Sequence, residues 1–157
     1  MTESIETLPD YAAAAAELLG GEAVLGVRVE TRAQLEALAE RGQMNLESAR
    51  ALAGSFGIDV VQGWVDGHPA TIFRELASRG TSLDIQPLGK ANARRLVQTS
   101  LVLAHAIHTF GSPDTVQAWL HEHVGALRGK RPMDLLEFEH FQEIEDNLFR
   151  IEYGIYA

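Results

Sequence analysis

Apolar positions recur at steps of three and four along most of the chain, the period of an amphipathic helix. The longest such run is Lys90–Phe110, where Leu96, Val97, Leu101, Ala104, Ile107 and Phe110 share a stripe. A second run, Phe138, Phe141, Ile144, Leu148 and Ile151, stops at Gly154. Between them, Ser112-Pro113-Asp114 supplies an N-cap, a proline at the first helical position and an acid in the first turn. The helix it opens carries Val116, Trp119 and Leu120. Residues 121–131 read as a glycine-containing loop, and Pro132 opens a short helix with Met133, Leu135 and Leu136.

Upstream, Pro9 suits the start of an alanine-rich helix over residues 11–19, halted by Gly20-Gly21. Thr31 followed by Gln34 forms a capping box, and the helix it opens places Leu35, Leu38 and Ala39 on one face. Asn45 can cap residues 46–56, which carry Ala49 and Leu52. Further helices are expected over residues 59–66, closed by Gly67, and 70–79, begun by Pro69; residues 81–89 read as a loop. Only residues 23–29 have strand character, and seven residues do not make a sheet. The expected fold is all-α.

Composition narrows the class. The 157 residues are 46% hydrophobic and 22% charged, which suits one ordinary domain, or two small ones sharing a core. There is no cysteine, so disulfides, thiolate zinc sites, iron–sulfur clusters and cysteine nucleophiles are excluded, and a reducing cytoplasm is the expected setting. The opening Met-Thr-Glu-Ser-Ile-Glu has neither the basic segment nor the apolar core of a signal peptide. Residues 91–110 carry Arg94, Arg95, His105 and His108, so no membrane association is expected.

Thirteen basic residues against twenty-two acidic ones give a net charge of −9, a field that repels nucleic acid overall. Residues 1–30 hold six acids and one base, and residues 111–157 nine acids and four bases. The sign reverses only between Arg74 and Arg95, where Arg74, Arg79, Lys90, Arg94 and Arg95 face Glu75 and Asp84. Two helix-turn-helix registers are open. Residues 46–56 and 58–66 form one, but its second helix offers only Asp59 and Asp66 as charged groups. The other uses residues 70–79 as the reading helix, with Thr71, Arg74 and Arg79 available to DNA and Lys90, Arg94 and Arg95 to phosphates.

Catalytic patterns are missing. There is no Gly-x-Ser-x-Gly elbow, no phosphate loop ending in Lys-Ser or Lys-Thr, and no His-Glu-x-x-His. His105 and His108 lie three apart on the long helix, and His121 and His123 flank Glu122; each pair reads more simply as neighbouring histidines than as metal ligands. No catalytic residue, metal or cofactor is expected.

The C-terminal third carries a more specific signal. Ala118-Trp119-Leu120, then Arg131-Pro132-Met133-Asp134-Leu135-Leu136, then Ile151-Glu152-Tyr153-Gly154-Ile155-Tyr156-Ala157 resemble the toxin-binding domain of Xre/MbcA/ParS-type antitoxins, partners of RES-domain toxins. The similarity runs from about Leu96 to Ala157. Upstream, residues 70–74 and 88–96 are similar to that family's recognition helix and the segment after it. The resemblance implies a helical, helix-turn-helix-like N-terminal region followed by a helical toxin-binding domain, divided as 1–30, 31–95 and 96–157. It implies a non-enzymatic antitoxin that covers the active-site mouth of an NAD-consuming RES toxin and, as a homodimer within a larger complex, represses its own operon. Toxin contacts are expected from Trp119, Arg131, Pro132, Leu135, Leu136, Ile151, Glu152, Tyr153, Gly154, Ile155 and Tyr156. DNA contacts are expected from Thr71, Arg74, Arg79, Lys90, Arg94 and Arg95. A stand-alone helix-turn-helix regulator is the alternative, and a metal-dependent enzyme built on His105 and His108 a third.

Overall fold

The computed structural model describes residues 11–44, 46–57, 60 and 90–154. Eight α-helices lie among them and no strand: α1 (Ala12–Leu18), α2 (Gly21–Leu25), α3 (Arg32–Glu40), α4 (Leu46–Phe56), α5 (Lys90–Phe110), α6 (Pro113–Leu120), α7 (Pro132–Glu137) and α8 (Phe141–Tyr153). The expectation of an all-α chain holds. Apart from residue 60, the helices expected over residues 59–66 and 70–79 lie outside the described residues, as do Pro9 and Asn45; so, with the same exception, does the second helix of either helix-turn-helix register.

Local chemistry explains several helix ends. The Thr31 hydroxyl accepts from the Gln34 N–H at 3.2 Å, and the Thr31 N–H donates to the Gln34 side chain at 3.0 Å. These bonds satisfy two amides that a helix start leaves free. Ser112 caps α6 by accepting from the Thr115 N–H at 3.3 Å, with Pro113 following. Residues 23–29 depart from their strand character. Gly20, at φ +107°, restarts the chain as α2, and Gly26 ends it. A Cβ at Gly20 would stand 2.4 Å from Val24 Cγ2, so only glycine makes this corner. A lone extended segment would also leave its amides unpaired, whereas one helical turn pairs them and buries Leu25.

α5 is the axis of the fold and packs against α1, α3, α6 and α8. The one-sided stripe expected for it is therefore too narrow. Besides Leu96, Val97, Leu101 and Ala104, the helix buries Ala93, Thr99, Ser100, Val102, Leu103, His105 and Ala106, because neighbours cover it on several sides. Alanines at 12, 15 and 16 form the buried face of α1 and let its backbone come close to α5. Leu19, Leu35, Leu52, Phe56, Leu120, Leu135, Ile144 and Leu148 join the same core. No helix among the described residues is long and apolar enough to cross a membrane.

Candidate functional site

Residues 121–154 form a small subassembly against the end of α5 and α6. The loop after α6 is pinned by paired backbone contacts of Val124 with Lys130, and His123 Nδ1 lies 2.8 Å from the Gly129 carbonyl. Arg131 then braces the start of α7. Its backbone N–H and guanidinium donate to Asp134, the shortest contact being 2.7 Å, which holds the Asp134 carboxyl below its ordinary range. Pro132 occupies the first helical position and is buried, as are Leu135 and Leu136. Trp119 is only 5% exposed, its ring 5.2 Å from that of Phe110. Four of the expected toxin-contact residues, Trp119, Pro132, Leu135 and Leu136, thus sit in the core, and Arg131 is paired within the chain.

α8 presents two unlike faces. Ile144, Asn147 and Leu148 are buried, with Phe141 and Ile151 half-buried beside them. On the outer side, Phe149 and Tyr153 are 40% and 52% exposed, with ring centroids 4.5 Å apart. They are four residues apart and so lie one turn from each other on the surface. Phe138 departs from the expected stripe: α8 begins only at Phe141, and Phe138, in the preceding turn, is 69% exposed. Phe149 belongs to no apolar stripe in the sequence; its only signal is the four-residue spacing to Tyr153. Gly154, at φ +67°, ends the helix. Ile155 and Tyr156 lie outside the described residues.

Beneath the aromatic pair sits an electrostatic cluster. His105, buried in α5, has Nδ1 2.5 Å from Glu145 Oε2 and Nε2 3.1 Å from Glu152 Oε2. His108, one turn further on, reaches the other Glu152 oxygen at 2.9 Å. Tyr11 stacks on His105, with ring centroids 4.6 Å apart and planes 16° from parallel. Burial lowers the affinity of His105 for its proton, but the hydrogen bonds and charges of Glu145 and Glu152 outweigh it and hold the pKa above the ordinary histidine value. Burial, then the charges of Glu152 and Glu145, push the Tyr11 hydroxyl up to about 12. His105 and His108 are thus brought together, but onto carboxylates that accept their hydrogens; among the described residues no group of three such side chains could hold a metal ion.

Residues 105–154 match the model of the family described as antitoxin Xre/MbcA/ParS C-terminal toxin-binding domain. This segment is therefore similar to an Xre/MbcA/ParS-type toxin-binding domain. The match covers about a third of the chain, from His105 in the C-terminal part of α5 to Gly154 at the end of α8. It is narrower than the similarity visible from Leu96 onward. No curated protein matches the chain. The matched segment contains the whole histidine–glutamate cluster, except Tyr11, and both exposed aromatics of α8.

The basic window falls elsewhere. Thr71, Arg74 and Arg79 lie outside the described residues. Lys90, at the start of α5, is exposed. Arg94 is held to Glu40 of α3 at 2.6 Å, which keeps the Glu40 carboxyl below its usual value, and Arg95 donates to the Glu137 carbonyl at the end of α7.

Proposed function

We propose that the chain is an antitoxin that neutralises an NAD-consuming RES-domain toxin without catalysing a reaction itself. In this reading α8 and the residues after it lie over the mouth of the toxin's active site. One observation carries the proposal: within the matched toxin-binding domain, α8 turns Phe149 and Tyr153 outward. Exposed aromatics at the end of a well-anchored helix supply large contact area with little conformational entropy left to lose, the makings of a binding hot spot. Gly154, in a conformation that suits glycine, ends the helix, and Ile155 and Tyr156 belong to the proposed contact. The nine acids of residues 111–157 suit a pocket lined with basic groups that bind substrate phosphates.

Trp119, Pro132, Leu135 and Leu136 serve this surface from behind, by fixing α6 and α7 beneath α8, while Ile151, Glu152, Tyr153 and Gly154 form its edge. Repression of its own operon as a homodimer belongs to the same reading. It rests on Thr71 and the basic residues Arg74, Arg79 and Lys90, with Arg94 and Arg95 available to phosphate only if they leave Glu40 and the Glu137 carbonyl. The decisive test is co-expression with the product of the neighbouring reading frame. The two should co-purify, the neighbour should consume NAD alone, and Phe149→Ala with Tyr153→Ala should restore that consumption. A pair that never co-purifies refutes the proposal.

A further inference from the structure

Two carboxylates of α8 meet the two nitrogens of one buried imidazole. Glu145 and Glu152 are seven residues apart, so they lie about 20° from each other around the helix, two turns along it. On the same wheel Phe149 stands about 40° and Tyr153 about 80° from Glu145, while Leu148 lies about 60° round on the other side. The glutamates therefore form a line between the buried stripe and the exposed aromatics. Hydrophobic contact alone tolerates some roll of a helix about its axis, because it is non-directional. Hydrogen bonds to both ends of a flat, stacked ring are directional and remove that freedom.

We propose that His105 is a positioning residue for the toxin-binding surface: by holding Glu145 and Glu152 it fixes the roll of α8 and so the direction in which Phe149 and Tyr153 point. The proposal rests on the reading of α8 as the toxin contact. It assigns Glu152 a role within the chain, since both its oxygens are engaged by His105 and His108. The groups facing His105 are Tyr11 ahead of α1, His108 on its own helix, and Glu145 and Glu152 on α8. Tyr11 keeps its proton through the physiological range, so the imidazoles of His105 and His108 and the two glutamates set the charge of the cluster. Only the imidazolium donates from both nitrogens at once. The hold on α8 is complete below the ordinary histidine pKa and is lost as pH rises through the raised value of the folded state.

The test uses the full chain, free and with the purified product of the neighbouring reading frame as probe. In the free chain, amide-exchange protection factors of residues 149–153 should fall at least about tenfold in His105→Gln, and the wild type should lose more protection than this variant as pH rises above the ordinary histidine value. Affinity for the probe should fall by a similar factor and lose the same pH dependence. If His105→Gln does not fold, Glu152→Gln carries the test with the same expected loss of protection, read where no toxin contact contributes. Unchanged protection and affinity in a folded variant overturn the proposal. Should protection respond as stated while the probe never binds the wild type, the helix clamp is supported and it is the proposed partner that falls.

Discussion

Adjacent residues on α8 should respond in opposite ways to the same truncation. Leu148 is fully buried, whereas Phe149, one position on, is 40% exposed. Leu148→Ala removes three carbons, about 2.4 kcal/mol at roughly 0.8 kcal/mol per buried methylene. The cavity left between α8 and α5 adds to this, for a total near 3 kcal/mol within the usual 2–5 kcal/mol range. At about 2–4 °C per kcal/mol for a chain of this size, the melting temperature should drop by roughly 6–12 °C. Phe149→Ala loses its ring contact with Tyr153, about 0.2–0.5 kcal/mol, and part of a side chain already 40% exposed, so melting should move clearly less than in Leu148→Ala. In binding the order reverses. A truncated hot-spot aromatic costs about 2 kcal/mol or more, roughly thirtyfold in affinity for the neighbouring gene product. Thermal denaturation followed by circular dichroism, with titration calorimetry on the same samples, reads both effects. Equal melting shifts for the two variants, or full affinity in Phe149→Ala, would refute this assignment of faces.

Three further outcomes follow from the geometry. Because the folded-state pKa of His105 is raised, the wild type should lose melting temperature as pH climbs from about 6 through that value, and His105→Gln should flatten this part of the profile. Gly20→Ala should destabilise far more than Gly154→Ala. Both positions have positive φ, costing about 1–2 kcal/mol for a Cβ, but only at Gly20 does that Cβ collide with Val24; urea midpoints distinguish them. Arg94→Ala breaks an exposed pair with Glu40, so the melting curve should be unchanged within error, exposed ion pairs contributing little.

What the sequence disclosed divides by the range of the interaction responsible. Helix starts at Thr31, Ser112 and Pro132 were readable because capping is settled within three or four residues. The length of α5 was readable from an unbroken period ending at Gly111. The enclosure of α5 was not, since it depends on four other helices that composition alone does not place around it. His105 shows the limit most clearly. Its partners are 40 and 47 residues away, so the sequence displays only a histidine on an apolar face. The aromatic surface was half visible. Tyr153 stood out within the family-like segment, whereas Phe149 differs from a core phenylalanine only by the rotation of α8, which the packing of Ile144 and Leu148 decides. The narrow turn before Phe141 likewise removed Phe138 from a stripe that its spacing suggested.

The central placement of α5 sets a timetable for synthesis. At about 5–20 residues per second, the ribosome delivers α8 several seconds after α5 is complete. Until then the imidazole of His105 faces water or a chaperone, and the wall that Ile144 and Leu148 will close stands open. Translation that aborts in this interval leaves a polypeptide with a gap along its axis and no aromatic surface to offer, a species that quality-control proteases can recognise by the same defect that makes it useless.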